Sequence, residues 1–246
     1  MRRHRFLSVC SSLLLASALT LSAGPAGAVV NSTQSRLVFN EKSVAESLTV
    51  VNSVRSPALV QVWSDDDDPL SPPDRISTPL VVVPPLFKLA PGESRNLRVM
   101  LISRKGMPAD RERLYWLNIY QIPPNTAQKS VLEKKVILPL RIRLKVFIRP
   151  TGLKEPEEDV GEKLRFILGQ TQTKHAELTV KNPTPYYMTL GSITLGRTPL
   201  KAEMIAPFSS LTLAVKEISA DHTLNWTVID DYGKHIPYKR ELSSHQ

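Results

Sequence analysis

The chain has 246 residues, a formal net charge of +9 and a single cysteine. This length is sufficient for two domains of about 100 residues each, a common domain size. A basic protein could bind nucleic acid, but the export signal at the N-terminus argues against nucleic acid as the natural partner. Most of the charges are therefore interpreted as the solvated faces of strands.

The N-terminus has the three parts of a secretory signal peptide. Residues 2–5 are basic, residues 6–21 are largely apolar, and residues 26–28 (Ala-Gly-Ala) fit a small-residue cleavage site. A membrane anchor is the alternative, but serines interrupt the apolar run and Gly-Pro follows it. We expect export with cleavage after Ala28, which removes Cys10 and leaves a mature chain without disulfides.

Short β-branched stretches separated by turn residues follow from Arg36 onward. No stretch of useful length between residues 36 and 149 has apolar residues at helical spacing. About seven strands with regular turns are typical of an immunoglobulin-like sandwich, here without its cysteines. The predicted strands cover residues 36–39, 47–53, 58–63, 79–87, 95–101, 114–121 and 133–149.

The last of these strands combines two features that conflict. Apolar residues alternate with polar ones along residues 137–150 (ILPLRIRLKVFIRP), which predicts one apolar face. Pro139 cannot donate to a ladder and so belongs at a sheet edge. A long edge strand with an apolar face invites aggregation, so the pattern requires a functional explanation.

The second half of the chain predicts a smaller β-sandwich behind a linker. Residues 150–162 are rich in proline, glycine and acid, as in a hinge. We therefore predict a signal peptide at 1–28, a first domain at 29–149, a linker at 150–162 and a second domain at 163–246. The strands predicted in the second domain are 164–168, 176–181, 186–196, 211–215 and 224–229.

The sequence contains no catalytic signature. The GxSxG, HExxH, P-loop and GxGxxG patterns are absent, and the four histidines after residue 28 are dispersed. Four adjacent acids at 65–68 lack the alternating spacing of a metal loop and are interpreted as a solvated loop. An enzyme is therefore disfavoured, and no cofactor or metal is predicted.

Five motifs in order resemble the periplasmic chaperones of the chaperone–usher pilus pathway, the PapD-like family. They are PPLFKLAPGE (84–93), RLYWLNIYQIPP (113–124), RIRLKVFIRP (141–150), NPTPYY (182–187) and DDYG (230–233). The resemblance implies an all-β fold of two immunoglobulin-like domains in a boomerang arrangement and a periplasmic location. It also implies two partners, which are pilus or fimbrial subunits and the outer-membrane usher that receives them.

The resemblance also gives a role to the edge strand. In this family the last strand of the first domain completes a pilus subunit that lacks its own final strand, by β-augmentation. The side chains implied to fill the subunit's groove are Val136, Leu138, Leu140 and Ile142. For Ile142 and Leu144 an ordinary core position is an equally good interpretation.

Two sets of charged residues match functional positions of the family. Arg36 and Lys145 match the pair that binds the subunit's C-terminal carboxylate, for which a guanidinium fork and an ammonium are suited. Arg141 and Arg143 are interpreted as solvated charges.

Glu112, Arg149 and Asp231 match the family's buried ion network between the domains. The network is expected to set orientation more than stability, because burying charges costs desolvation.

A second class of function stays open from sequence alone: a secreted immunoglobulin-like structural subunit or adhesin. Subunits usually carry an N-terminal donor extension and cysteines. In this chain no clear donor extension is recognised, and the one cysteine lies in the signal peptide. In either case an open strand edge allows self-association.

Overall fold

The computed structural model describes residues 30–53, 55–70, 72–74, 78–122, 139–170, 176–215 and 221–242. Within these ranges the chain forms strands and one short 3-10 helix, Val160–Lys163. No helix in the described part of the chain is long and apolar enough to cross a membrane.

The first nine strands form two facing sheets, one of four strands in the order β1-β3-β7-β5 and one of five in the order β2-β9-β8-β4-β6. Alternate residues of each strand point inward, such as Leu97, Val99 and Leu101, and pack into one core. The strands are β1 (Val30–Ser32), β2 (Arg36–Phe39), β3 (Ala45–Asn52), β4 (Ala58–Asp65), β5 (Leu80–Val83), β6 (Leu86–Leu89), β7 (Ser94–Leu101), β8 (Arg113–Ile122) and β9 (Leu140–Ile148).

The remaining strands form a second sandwich with its own core, which is centred on Trp226 between the rings of Phe166 and Tyr238. One sheet has the order β10-β11-β15 and the other β13-β12-β16-β17, with β14 also paired to β12. These strands are β10 (Arg165–Gln170), β11 (Ala176–Lys181), β12 (Met188–Leu195), β13 (Thr198–Pro199), β14 (Met204–Ile205), β15 (Ser210–Val215), β16 (Thr223–Ile229) and β17 (His235–Glu241). The chain therefore consists of two immunoglobulin-like β-sandwiches, as the fold prediction states.

The sequence prediction merged two strands into one and, in the described ranges, missed four others, which are the short strands β1, β13 and β14 and the longer β17. Residues 79–87, predicted as one strand, form β5 and β6, which belong to different sheets. Pro84 and Pro85 separate them, and proline does not continue a ladder. Strand β17 was missed because none of its side chains is fully buried and its inward face, Ile236, Tyr238 and Arg240, includes a charged residue.

The pairing of β9 determines where the molecule has an open edge. Strand β8 pairs with the whole length of β9, from Leu140 to Ile148. On the other side, β2 runs parallel to β9 but pairs only with residues 145–148. Among the described residues, the segment Leu140–Leu144 therefore has a partner strand on one side only, and its other edge carries free backbone donors and acceptors.

Candidate functional site

Arg149 lies directly after β9, and each nitrogen of its guanidinium group donates to an acceptor. These acceptors come from both sandwiches. The Arg149 side chain is 1% exposed, and its Nε donates to Glu112 Oε1 at 2.9 Å. Its Nη2 donates to both carboxylate oxygens of Asp231, at 2.7 and 2.9 Å. Its Nη1 donates to Asn40 Oδ1 at 2.6 Å. Asn40 was missed in the sequence, where an asparagine after a strand looks like an ordinary turn residue.

Glu112 joins the two sandwiches through its second carboxylate oxygen. Oε2 accepts the backbone N–H of Tyr187 at 2.8 Å, and the backbone N–H of Glu112 donates to the carbonyl of Pro185. Asn182 shapes the loop that presents these groups, since its Nδ2 donates to the Tyr186 carbonyl and its Oδ1 accepts from Thr184. This explains locally why the sequence reads NPTPYY at 182–187.

The charges of this junction compensate one another. Burial alone lowers the pKa of Arg149, but Asp231 and Glu112 outweigh it and raise the pKa above its ordinary value. Burial raises the pKa of Glu112, and the attraction of Arg149 opposes this only in part. Arg149 is therefore a charged guanidinium with a hydrogen-bond acceptor at each of its three nitrogens.

Arg36 and Lys145 are cross-strand neighbours in the parallel pairing of β2 with β9. Arg36 is buried, donates Nη1 to the Ile229 carbonyl at 2.9 Å, and lies over the ring of Phe147. Its Nε has no partner in the described part of the chain. The Lys145 ammonium lies 5.5 Å from the centre of the Trp116 ring and forms no ion pair with any described residue.

Both cations are held in surroundings that disfavour their charge. Burial lowers the pKa of Arg36, and the more distant carboxylates of Asp231, Asp230 and Glu112 offset this only in part. Burial also lowers the pKa of Lys145, and the positive charge of Arg36 lowers it further. Two neighbouring cations without a direct anionic partner among the described residues are chemically suited to hold an anion.

A cleft of about 580 Å³ opens beside these cations where the two sandwiches meet. Arg36 and Phe147 line it from the first sandwich, and Tyr187 and Asp231 line it from the second. Lys145 is not part of this lining but is the cross-strand neighbour of Arg36. Arg36 of the cation pair and Arg149 of the junction therefore both line this cleft.

The predicted groove-filling residues fall into three groups. Leu140 is 39% exposed at the start of β9, although it is a large apolar side chain. Ile142 is half-buried and packs against the edge of the first core, whereas Leu144 belongs to that core. Val136 and Leu138 lie outside the described residues.

The interpretation of Arg141 and Arg143 as solvated charges was wrong. Arg143 Nη2 donates to Asp65 Oδ1 at 2.6 Å, and Arg141 Nε donates to Asn118 Oδ1 at 2.8 Å. Asp65 itself is buried at the end of β4, so the solvated-loop interpretation of residues 65–68 fails at its first position. No local pattern indicates this pairing, which joins residues that lie 78 positions apart.

Comparison with known proteins bears on both sandwiches. Residues 29–154 match the family model described as pili and flagellar-assembly chaperone, PapD N-terminal domain, and residues 159–240 match that of the pili assembly chaperone PapD, C-terminal domain. The chain therefore belongs to the PapD family of pilus-assembly chaperones, whose role is to fold and stabilise rather than to catalyse. The family prediction is confirmed, and the alternative of a structural subunit is not favoured.

Individual relatives agree across nearly the whole chain. The chaperone protein FimB/FhaD of Bordetella pertussis is 32% identical over 240 residues, with 93% of this chain and 95% of the relative covered. The chaperone protein MrkB of Klebsiella pneumoniae is 34% identical over 216 residues, covering 86% and 89%. The solved structure of the Salmonella enterica SafA pilin in complex with the SafB chaperone contains a chain that is 31% identical, with a TM-score of 0.74 and coverage of 89% and 99%.

Proposed function

We propose that this chain captures pilus or fimbrial subunits in the periplasm by donor-strand complementation and delivers them to an outer-membrane usher. One observation supports this most strongly: the open edge of Leu140–Leu144 leads directly to the uncompensated cations Arg36 and Lys145. A subunit strand can pair along that edge by β-augmentation. The cations at its end suit a terminal carboxylate.

The anchor at Lys145 would set the register of the whole complex. Side chains of a strand alternate between its faces, so a slip of one residue turns every groove-filling residue to the wrong side. A carboxylate fixed at Lys145 lies about 17 Å along the strand from Leu140, at about 3.4 Å per residue. One ionic contact would therefore place Leu140 and Ile142, and beyond them Leu138 and Val136, in the subunit's groove.

The groove-filling side chains and the anchor cations are expected to contribute differently to the binding free energy. Each apolar side chain moved from water into the groove contributes about 1.5–3 kcal/mol. A hydrogen bond to a charged group contributes about 1.5–3 kcal/mol. The groove-filling side chains would then supply most of the affinity, while Arg36 and Lys145 select a chain end over an internal carbonyl.

The remaining parts of the proposal concern the cell compartment. Export through the N-terminal signal peptide, with cleavage after Ala28, would bring the chain to the periplasm. There its open edge would meet subunits that lack a final strand. Self-association through the same edge would protect it when no subunit is present.

Co-expression with a pilus subunit encoded in the same genome tests the proposal. The tagged chain should retain the subunit on purification from periplasmic extract, whereas Lys145→Met and Arg36→Met should lose it while remaining folded. Lys181→Met, at an exposed position of β11, is the matched control and should behave as the wild type. Full recovery of the subunit with both anchor variants would refute the assignment of the site.

A further inference from the structure

A second polar cluster lies on the outer face of the first sandwich, directly behind the open edge. It spans three adjacent strands, because β8 pairs with both β4 and β9. Strand β4 contributes Trp63 and Asp65, and β9 contributes Arg141 and Arg143. Between them, Asn118 of β8 is the register partner of both Trp63 and Arg143.

The buried carboxylate of Asp65 is the centre of this cluster. Oδ1 accepts from Arg143 Nη2 and Oδ2 accepts from Asn118 Nδ2, each at 2.6 Å. The amide oxygen of Asn118 accepts from Arg141 Nε at 2.8 Å. Arg141 Nη2 also lies 3.7 Å from Asp65 Oδ2. One carboxylate and one amide therefore hold both arginines of the open segment.

Aromatic rings fix the same two guanidinium groups from a second direction. Arg141 lies over the ring of Trp63 with 4.8 Å between the guanidinium carbon and the ring centre, and Arg143 lies over Trp116 at 4.5 Å. Planar guanidinium groups suit both stacking and forked hydrogen bonding, which lysine cannot reproduce. Free lysines would be enough to keep an edge strand soluble, so the arginines do more than add charge.

The held side chains belong to the segment that lacks a second partner strand. Because side chains alternate, Arg141 and Arg143 point away from the face that carries Leu140 and Ile142. An edge segment with exposed apolar side chains loses conformational entropy when it binds. This loss is smaller if the segment is already ordered in the free protein. Tying its polar face to β4, two strands away, orders the apolar face of the same backbone.

We propose that Asp65, Asn118, Arg141 and Arg143 form a positioning clamp that holds Leu140–Leu144 in the twist and register a subunit accepts. This inference rests on the proposed function. The clamp forms no hydrogen bond to the anchor cations, but Arg143 and Lys145 lie over the same ring of Trp116, so the clamp acts through the backbone of β9 and through this ring. Its residues are positioning residues, and subunit capture would be slowed without them even where the anchor is intact.

Amide hydrogen exchange of the free, full chain tests the clamp without a subunit. In Asp65→Asn, exchange at residues 140–144 should rise at least tenfold, while exchange in β12 and β16 stays unchanged. Val50→Ala, a buried β3 variant, is the control for general destabilisation of the first sandwich. It should leave residues 140–144 as protected, relative to the rest of that sandwich, as in the wild type.

Capture of the co-expressed subunit gives the second readout. Asp65→Asn and Arg143→Lys should each slow capture at least tenfold, whereas Val50→Ala should not. Arg143→Lys leaves Asp65 paired with Asn118, so it serves if Asp65→Asn does not fold. Equal exchange and capture in Arg143→Lys and the wild type would overturn the clamp.

The anchor variant separates this inference from the function on which it rests. If the wild type does not retain the co-expressed subunit, the proposed function fails, and if Lys145→Met retains it as well as the wild type does, the anchor assignment fails. If Lys145→Met loses the subunit while Arg143→Lys captures it at the wild-type rate, only the clamp fails.

Discussion

Two sites of positive charge lie close together at the end of β9, and they differ in what surrounds them. Arg149 has two carboxylates and an amide oxygen within hydrogen-bonding distance, and its pKa is raised. Four residues earlier, Lys145 has no carboxylate partner in the described ranges and lies beside Arg36, and the pKa of each is lowered. The basic residue at the first site has carboxylate partners within the fold. The two basic residues at the second site have no ion-pair partner among the described residues.

This difference separates a structural role from a binding role. A buried cation with its own carboxylates holds elements in place, here the two sandwiches. A partly buried cation pair without one is expected to reduce stability in the free protein and to gain an anion on binding, as is common where function and stability conflict. The comparison can be tested by changing each site and measuring stability and binding separately.

The largest effect on stability is expected at the satisfied site. Arg149→Met should lower the free energy of unfolding by about 3–5 kcal/mol, because Glu112 and Asp231 lose their shared partner. Arg165→Met, at an exposed position of β10, should change it by less than about 0.5 kcal/mol. Urea denaturation measures both. A near-neutral Arg149 variant would show that this junction does not hold the two sandwiches.

The open edge should show the opposite combination, a large effect on binding and a small one on folding. Leu140→Glu places a carboxylate where an apolar side chain enters the subunit, so affinity should fall at least tenfold, since about 1.5–3 kcal/mol of burial is lost. Its melting temperature should stay near that of the wild type, because Leu140 is already 39% exposed. Ile167→Glu, at a site 50% exposed on β10, is the control and should bind normally. Arg141→Glu is unsuitable as a control, because Arg141 bonds to Asn118.

Asp231→Asn should have an intermediate effect on stability. The Asp231 side chain is 26% exposed, so water replaces part of what Arg149 loses, and we expect a cost of about 1–3 kcal/mol. The thermal midpoint should fall while Lys145 and Arg36 stay available to the subunit. A wild-type midpoint would place Asp231 outside the network.

The smallest effect concerns the pH dependence contributed by Glu112. Its pKa in the folded chain is raised above the ordinary value of 4.5, chiefly by burial. A group whose folded pKa is raised contributes stability that is complete below the unfolded pKa and is lost as pH rises through the folded pKa. The stability of the wild type relative to Glu112→Gln should therefore decrease as pH rises from about 4 toward neutrality. Urea midpoints of both proteins across this range check it, and an increase would show that Arg149 outweighs burial.

The sequence predicted the overall fold well because its signals are local or carried by motifs. Alternation and turn residues gave most strands, and the five motifs gave the family. The wrong strand predictions come from local patterns at β5, β6 and β17, whereas the failure at Arg143 and Asp65 comes from a contact between distant residues. The pairing of Arg143 with Asp65 depends on β4 and β9 both flanking β8. No local pattern at either position indicates that order of strands.

For the candidate site, too, the sequence predicted one part and not the other. Arg36, Lys145, Glu112, Arg149 and Asp231 were all singled out from motifs. Their opposite electrostatic states were not, since both depend on how many acceptors converge after folding. Asn40 completes the Arg149 junction but carries no signal, because asparagine after a strand is common in turns.

The central claim is that Arg36 and Lys145 bind the C-terminal carboxylate of a subunit. The direct test is a double-mutant cycle with a pilus subunit from the same genome, prepared by peptide ligation with either a free or an amidated C-terminus. Amidation should weaken binding to the wild type by about 10–100-fold, as expected for a lost charge-assisted hydrogen bond. It should weaken binding to Lys145→Met less, because Arg36 alone remains to bind the carboxylate, and the melting temperature of this variant should not fall below that of the wild type. Equal weakening by amidation in both proteins would contradict the account.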